Sequence, residues 1–571
     1  MKQQPFNSQE SRNILSLSKK VRLRREYFGG LAFNTGNGDI VELDKEAFTL
    51  LSLLEKGNMY KKELNDILVE NKLMRPNNDD FKHVLSSLEQ AGLICQRNHT
   101  DSNIFHEPSE KLSEINSLMK NPPRQWLSVP ETVHWAVTYR CRQDCPECYT
   151  RRFTQDRDEL TVNNTFKVID KLAGWGIFQL AIGGGEPFEK EGLPEIVTYA
   201  AQSGLVVHVT TGLKNLEFND ISQYSGKIKN LQIGFSSGEL YGGAFTDLKG
   251  SLENTISALK DTGISPGVNI TLSKQVIRHL EEILVNVLSS GCNRIIFIRY
   301  KPPDSRNLWK QEKPDREQLL YLHNTLISIR KKYPELYLRT DCALSFLQRY
   351  VPDNLARYAG YKGCVAADRI LAISPSGDMY PCSQLVSPEM KAGNIITDDL
   401  QDVWDNSGIM KKYRYFRNGR NTMDSWCGIC TRKDTCGGCR VFAHNPPRGG
   451  DPGCPDPLPP PLKQLGKYGR CLDTREYLEK TGTITAREYM VRYGVEERKA
   501  IKELNAITGS DNRSPKIGYT LPRDDIISDI QDSIGYTSGG VPLASYEEIG
   551  EWLEEEADDY PQWILNHKRN T

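Results

Sequence analysis

The strongest constraint on this chain is the loop Cys141-Arg-Gln-Asp-Cys145-Pro-Glu-Cys148, directly after the apolar run Val133 to Val137. Thiols separated by three and then two residues can close around one face of an iron–sulfur cluster. Such a cluster ordinarily takes four protein ligands, so three cysteines leave one iron open to something that is not protein. On spacing alone a zinc knuckle or scattered core thiols are the alternatives.

The 571 residues are too many for one core and imply three or four domains. Lys+Arg (73) balance Asp+Glu (74), which gives no reason to expect a nucleic-acid or membrane partner. The start, MKQQPFNSQES, lacks the apolar core of a signal peptide. No apolar run approaches the roughly 20 residues of a membrane span. Fourteen cysteines in a chain without a secretion signal point to a reducing, cytoplasmic setting and to metal ligation.

Residues 1–98 read as a small sheet followed by three helices. Strands are expected at 21–26, 30–34 and 39–44, with Asn34-Thr-Gly-Asn-Gly38 as a turn, and helices at 45–54, 61–70 and 78–91. That is a winged-helix order, and its mixed charge weakens a DNA-binding reading. Residues 99–129, with Pro108, Pro122 and Pro123, read as a linker.

Over 130–335 apolar strands alternate with amphipathic helices. Strands are expected at 132–138, 178–182, 205–210, 229–235, 266–271 and 294–299, and helices at 163–176, 191–203, 251–263, 274–290 and 314–333. Six such βα units predict an α/β fold with a partial (β/α)6 barrel, whose ligands collect at the carboxyl ends of the strands. The second strand ends in Gly183-Gly184-Gly185-Glu186-Pro187. There glycines admit close backbone approach, and the Glu186 carboxylate can accept from an ammonium group. In isolation this is also an ordinary strand-to-helix turn.

The Cys141, Cys145 and Cys148 loop followed one βα unit later by Gly184-Gly185-Glu186-Pro187 resembles the radical S-adenosylmethionine (SAM) enzymes. The resemblance implies a [4Fe-4S] cluster on the three cysteines, SAM chelating the open iron, and Gly184, Gly185, Glu186 and Pro187 beside the methionine amino group. Tyr149, Thr211 and Ser236 would be further SAM contacts, from the motifs Thr210-Thr-Gly212 and Phe235-Ser-Ser237. One-electron cleavage of SAM would yield a 5′-deoxyadenosyl radical that abstracts hydrogen. An electron donor such as a flavodoxin or ferredoxin is implied. Glu147 departs from the family, where an aromatic residue often precedes the third cysteine.

A second cysteine field runs from Cys364 through Cys382, Cys427, Cys430, Cys436 and Cys439 to Cys454. Paired CxxC units alone suggest structural zinc. After a barrel, this series resembles the SPASM auxiliary-cluster domain over 336–458. The resemblance implies one [4Fe-4S] cluster on Cys427, Cys430, Cys436 and Cys454, and an inner one on Cys364, Cys382 and Cys439. The fourth inner ligand of some members is here Tyr358, so an open site or a non-Cys ligand such as Asp368 is expected. Ser383 stands where sulfatase-oxidising members carry an acid. Cys95, Cys292, Cys342 and Cys471 lack ligand spacing and read as small hydrophobes.

The stretch Arg24 to Asn34 resembles the PqqD-like domain that docks a precursor's leader peptide as an added strand. Residues 459–571 fall outside these resemblances. Asp456-Pro-Leu-Pro-Pro-Pro461 reads as a stiff spacer, 485–494 and 497–507 as two helices of a packing module, and 546–559 as an acidic helix. The expected function is radical modification of a ribosomally made precursor peptide, by a thioether or carbon–carbon crosslink or by backbone excision. A maturase of a cofactor or folded protein is the second reading. A zinc-stabilised winged-helix regulator binding DNA is the third, and it would need neither the glycine motif nor the βα units.

Overall fold

Apolar residues at every second position build the central sheet. In β7 (Thr132–Thr138), Val133, Trp135 and Val137 are buried and the residues between them half-buried, the period-two pattern of a strand. The computed structural model describes residues 14–74, 78–97, 126–143, 145, 147–150, 158–213, 216–236, 239, 243–300, 311–350, 363–418, 427, 430, 432–441, 451, 453–454, 465–509, 513–514 and 518–519. It divides into two compact units, one of 1–131 with 172–179 and 204–206, the other holding the remainder.

In the larger unit, β8 (Gln179–Gly184), β9 (Val206–Thr211), β10 (Ile228–Phe235), β11 (Ser265–Leu272) and β12 (Arg294–Arg299) follow β7 in order across one sheet. Pairing is parallel from β9 to β12. Helices Val162–Trp175, Leu193–Gln202, Gly243–Leu259, Leu280–Ser289 and Arg316–Lys332 alternate with the strands. The expected helix over 274–290 is broken at His279, where Lys274–Arg278 ends and the next helix starts.

The sheet runs beyond the six expected strands at both edges. A seventh parallel strand, β13 (Tyr337–Thr340), pairs with β12. At the other edge β14 (Ile370–Ile373) lies parallel to β7 and continues antiparallel into β15 (Asp378–Tyr380) and β16 (Gly393–Asn394). The expected hairpin turn over Ser374–Asp378 is present, with Ser374 N–H donating to Asp378 O and Gly377 at φ +88. β13 is four residues long and only Leu338 in it is buried, too little alternation to mark a strand. Among the described residues the expected barrel is an open ten-stranded sheet.

Helices Lys467–Thr481, Ala486–Tyr493 and Glu497–Thr508 close on a core of Cys471, Leu478, Tyr489, Tyr493, Leu504 and Ile507. The first of these was not expected: Arg and Glu interrupt its apolar spacing. The spacer 456–461 and the acidic stretch 546–559 lie outside the described residues.

In the smaller unit the three expected strands appear as β2 (Val21–Glu26), β3 (Gly29–Asn34) and β4 (Ile40–Asp44), an antiparallel sheet. Helices Lys45–Lys56, Lys61–Glu70 and Asn78–Gln90 follow, the first capped by Asp44 accepting from Ala47 N–H at 2.8 Å. A second sheet went unforeseen: β1 (Ile14–Leu17) pairs with β5 (Met59–Tyr60) and β6 (Ile94–Arg97). These strands are too short to show a period. Glu26 accepts from Ser128 N–H at 2.7 Å and Arg24 donates to Val129 O at 2.9 Å, so the end of the expected linker is held as structure.

Candidate active site

The end of β8 is fastened to the cysteine loop by main-chain bonds. Gly185 N–H donates to Thr138 O at 2.7 Å and Glu186 N–H to Arg140 O at 2.8 Å. A Cβ on Gly184 would lie 2.4 Å from Thr138 O, and one on Gly185 2.2 Å from Arg140 O. Gly184 also sits at φ +116, a region that side chains avoid. Both glycines are thus required by the approach of two strand ends.

Glu186 is buried, 1% exposed. Its Oε2 accepts from Gly212 N–H (2.9 Å), and Oε1 from the Thr211 hydroxyl (2.9 Å) and Phe188 N–H (3.1 Å). Burial still holds its pKa above the ordinary carboxylate value, ahead of the lowering effect of these bonds. A buried carboxylate so placed suits a cationic partner, which is the character of an amino group. Gly212 in turn lies against Gln143 of the cysteine loop, where a Cβ would stand 2.1 Å from Oε1.

Cys148 N–H donates to Cys145 O at 3.2 Å, turning the loop back on itself, and the Cys148 sulfur is 3.1 Å from the Thr150 hydroxyl. The Cys141 thiol is raised by burial, and the charges of Glu186, Cys148 and Glu189 add to that shift. Arg140, whose carbonyl accepts from Glu186 N–H, directly precedes Cys141, so Glu186 stands at the start of the cysteine loop. Tyr149 is half-buried in the turn after Cys148, and Ser236 follows β10 with its N–H on Glu239 Oε2 at 2.8 Å. Pro187 is buried and starts a short helical turn. Ser237 lies outside the described residues.

Sequence reasoning missed a brace behind this loop. Glu159 accepts from Lys190 Nζ (3.0 Å), Arg140 Nη2 (3.1 Å) and the Thr138 hydroxyl. Burial raises its pKa, but these hydrogen bonds and the Lys190 charge outweigh it and leave the carboxyl below its usual value. No spacing rule links positions 138, 159 and 190.

At the second cysteine field, backbone N–H groups point at sulfur. Asp451 N–H reaches Cys427 Sγ at 3.3 Å, Arg432 N–H reaches Cys430 Sγ at 3.4 Å, and Gly438 N–H reaches Cys436 Sγ at 3.5 Å. Such donors favour thiolate, the form that binds iron. Burial pushes the Cys427 thiol up to about 12, with Cys430 among its charged neighbours, and raises the Cys436 thiol as well, with Cys427 and Cys430 among its own. Ligation by iron would overturn that protonation. Gly437 and Gly438 both take positive φ (69 and 76), which explains the paired glycines of Cys436-Gly-Gly-Cys439.

Asp451 Oδ2 accepts from Cys439 N–H at 2.7 Å, and Cys454 N–H donates to Asp451 O at 3.1 Å. Cys364 and Cys382 both act on the Tyr413 phenol, and a Cβ on Gly363, at φ +61, would stand 1.9 Å from Cys436 O. Asp368 joins Cys364 among the charges near Arg417. Tyr358 lies outside the described residues. Among the described residues no three His, Cys, Asp or Glu side chains converge as they would on a single metal ion. Thiolates on separate irons of a cluster stand further apart than the four ligands of one zinc. Cys292 and Cys471 are buried as expected, whereas Cys95 is exposed on β6 and Cys342 is partly so.

Residues 364–431 match SPASM, an iron-sulfur cluster-binding domain. The chain is 26% identical over 340 residues to the mycofactocin maturase MftC of Mycobacterium tuberculosis, covering 57% of this chain and 83% of that one. It is 26% identical over 341 residues to a PqqA peptide cyclase of Rhizobium meliloti, covering 56% and 84%. Its fold is similar to that of Streptococcus suis SuiB bound to S-adenosylmethionine, with TM-score 0.55, 17% identity, and coverage of 75% of this chain and 96% of that one. SuiB has also been solved with the precursor peptide SuiA. No helix among the described residues is long and apolar enough to cross a membrane.

Proposed function

We propose that this chain, a radical SAM protein with a SPASM domain, modifies a ribosomally made precursor peptide by hydrogen abstraction. The observation that carries the reading is the pair of main-chain bonds from Gly185 and Glu186 to Thr138 and Arg140, which hold a buried carboxylate beside Cys141.

Cys141, Cys145 and Cys148 would hold the cluster that binds SAM, and Glu186 would take the methionine ammonium. When bound, that pair would supply one-electron chemistry for hydrogen abstraction. The residues of this chain do the rest. Gly184 and Gly185 let the backbone come close, Gly212 and Thr211 fix the Glu186 carboxylate, and the Glu159 brace keeps the loop at the strand ends. Tyr149 and Ser236 are the remaining candidate contacts to SAM. Cys427, Cys430, Cys436 and Cys454, with Cys364, Cys382 and Cys439, would hold two auxiliary clusters.

The peptide substrate is supported by SuiB with SuiA and by the PqqA peptide cyclase. Residues 1–98 are the candidate leader-docking domain, where the outer strands β2 and β4 offer edges for strand addition. A flavodoxin or ferredoxin in the cytoplasm is the proposed electron source.

The test is anaerobic reconstitution followed by iron, sulfide and product analysis. About twelve irons per chain are expected for three four-iron clusters, with 5′-deoxyadenosine released on reduction and a mass change in a precursor peptide encoded beside the gene. Zinc without sulfide, or full iron loading with SAM left intact under reduction, overturns the reading.

A further inference from the structure

Two arginines meet over one aromatic ring between the auxiliary cysteines. The Arg417 and Arg440 guanidinium carbons stand 4.4 and 4.5 Å from the Phe416 ring centroid. Arg417 Nη2 donates to Cys436 O at 3.3 Å and its Nε to Lys433 O at 3.2 Å. Arg440 Nη2 donates to Gly437 O at 2.6 Å. Both therefore grip the backbone of the Cys436-Gly-Gly-Cys439 turn.

Arg440 is only 4% exposed. Guanidinium stays protonated under any ordinary condition, so burial does not discharge these groups. The Arg440 charge opposes that of Arg417, and a ring face compensates only in part. What favours the arrangement is negative charge nearby. Burial and Arg440 act to lower the Arg417 pKa, while Cys364, Asp368 and Cys436 act to raise it; Arg440 in turn eases the Cys427 thiol downward. Arg417 is thus bonded to the carbonyl of Cys436, and Arg440 Nη2 and the Cys427 sulfur both border Gly438, where a Cβ would stand 3.0 and 3.2 Å from them.

Resting on the proposed cluster assignment, we infer that Arg417 and Arg440 form a cationic clamp that raises the reduction potentials of the auxiliary clusters. Reduction adds negative charge to a cluster, and a fixed cation in a poorly screened site favours the more negative form.

The experiment is an EPR-monitored redox titration of the reconstituted full chain, with iron and sulfide counted in every sample. Arg417→Gln and Arg440→Gln are expected to lower the potential of the auxiliary signals while the SAM-binding cluster signal keeps its own. Arg440→Lys retains the charge and is expected to titrate near the parent protein. If either Gln variant loses auxiliary iron while Arg440→Lys keeps it, charge is needed to hold the cluster and the inference stands in a stronger form. Loaded Gln variants with parental potentials overturn it. So does an Arg440→Lys variant that behaves like Arg440→Gln, since shape rather than charge would then matter. A parent protein with iron for one cluster only would instead remove the assignment beneath it.

Discussion

Arg299, at the end of β12, and Asp451, among the auxiliary cysteines, form a buried ion pair with Nη1 2.8 Å from Oδ2. The same carboxylate accepts from the main chain of Cys439 and Gly453, and the Asp451 N–H reaches the Cys427 sulfur. One acid thereby fixes two proposed ligands against the central sheet.

Asp451→Ala leaves a buried guanidinium without its carboxylate, a change that costs about 3–5 kcal/mol in comparable pairs. The expected outcome is a lower unfolding midpoint in denaturant together with loss of auxiliary iron. Replacing both partners, as Arg299→Met with Asp451→Leu, should restore most of the stability but not the iron. If the single variant unfolds like the parent, the ion pair is not a fastening.

Glu186→Gln keeps the shape and removes the charge. A hydrogen bond to a charged group is worth roughly 1.5–3 kcal/mol, or about 10–150-fold in affinity. SAM binding measured by equilibrium dialysis should weaken by that order, with iron content unchanged. Parental affinity would show that this carboxylate does not meet the amino group.

Gly185→Ala forces a methyl group to 2.2 Å from Arg140 O. The strand end and the cysteine loop must separate, and the cluster proposed for Cys141, Cys145 and Cys148 should be lost. Mössbauer or EPR spectra are expected to retain only the auxiliary signals. A variant with all its iron would mean that the two segments need no contact.

The C-terminal helices carry a pH-dependent contact. Arg470 bonds Glu503 through Nη2 at 2.6 Å and Nε at 2.8 Å, and Tyr489 donates to the same carboxylate at 2.8 Å. Burial would raise the Glu503 pKa, but the hydrogen bonds from Arg470 and Tyr489 outweigh it and hold it below the model-peptide value of 4.5. A depressed folded pKa gives stability that is present above 4.5 and fades as pH falls through the lower value. The gap in unfolding midpoint between the parent and Glu503→Gln should therefore be constant near neutrality and shrink in acid. A gap that stays constant to low pH would contradict this.

The candidate site was more legible in the sequence than its supports were. Cysteine spacing and a glycine run beside Glu186 are local signals, and each marks chemistry that few arrangements satisfy. Strands β7 to β12 announced themselves because alternation persists over six to eight residues. β1, β5, β6 and β13 did not, because strands of two to four residues hold no period. The contacts Glu159–Lys190, Arg299–Asp451 and Arg470–Glu503 span 31, 152 and 33 positions. Nothing local in a chain encodes which distant charge will neutralise another.

The pairing of Ile370–Ile373 with Thr132–Trp135 has a consequence for engineering. The strand that delivers the first cysteine loop and the hairpin that leads to Cys382 share a single ladder of amide bonds. Chimaeras that swap the cysteine-rich half between relatives would expose an unsatisfied edge on the very strand that leads into the Cys141 loop. Inheritance of the two halves as one cassette, rather than as exchangeable modules, is what this seam favours.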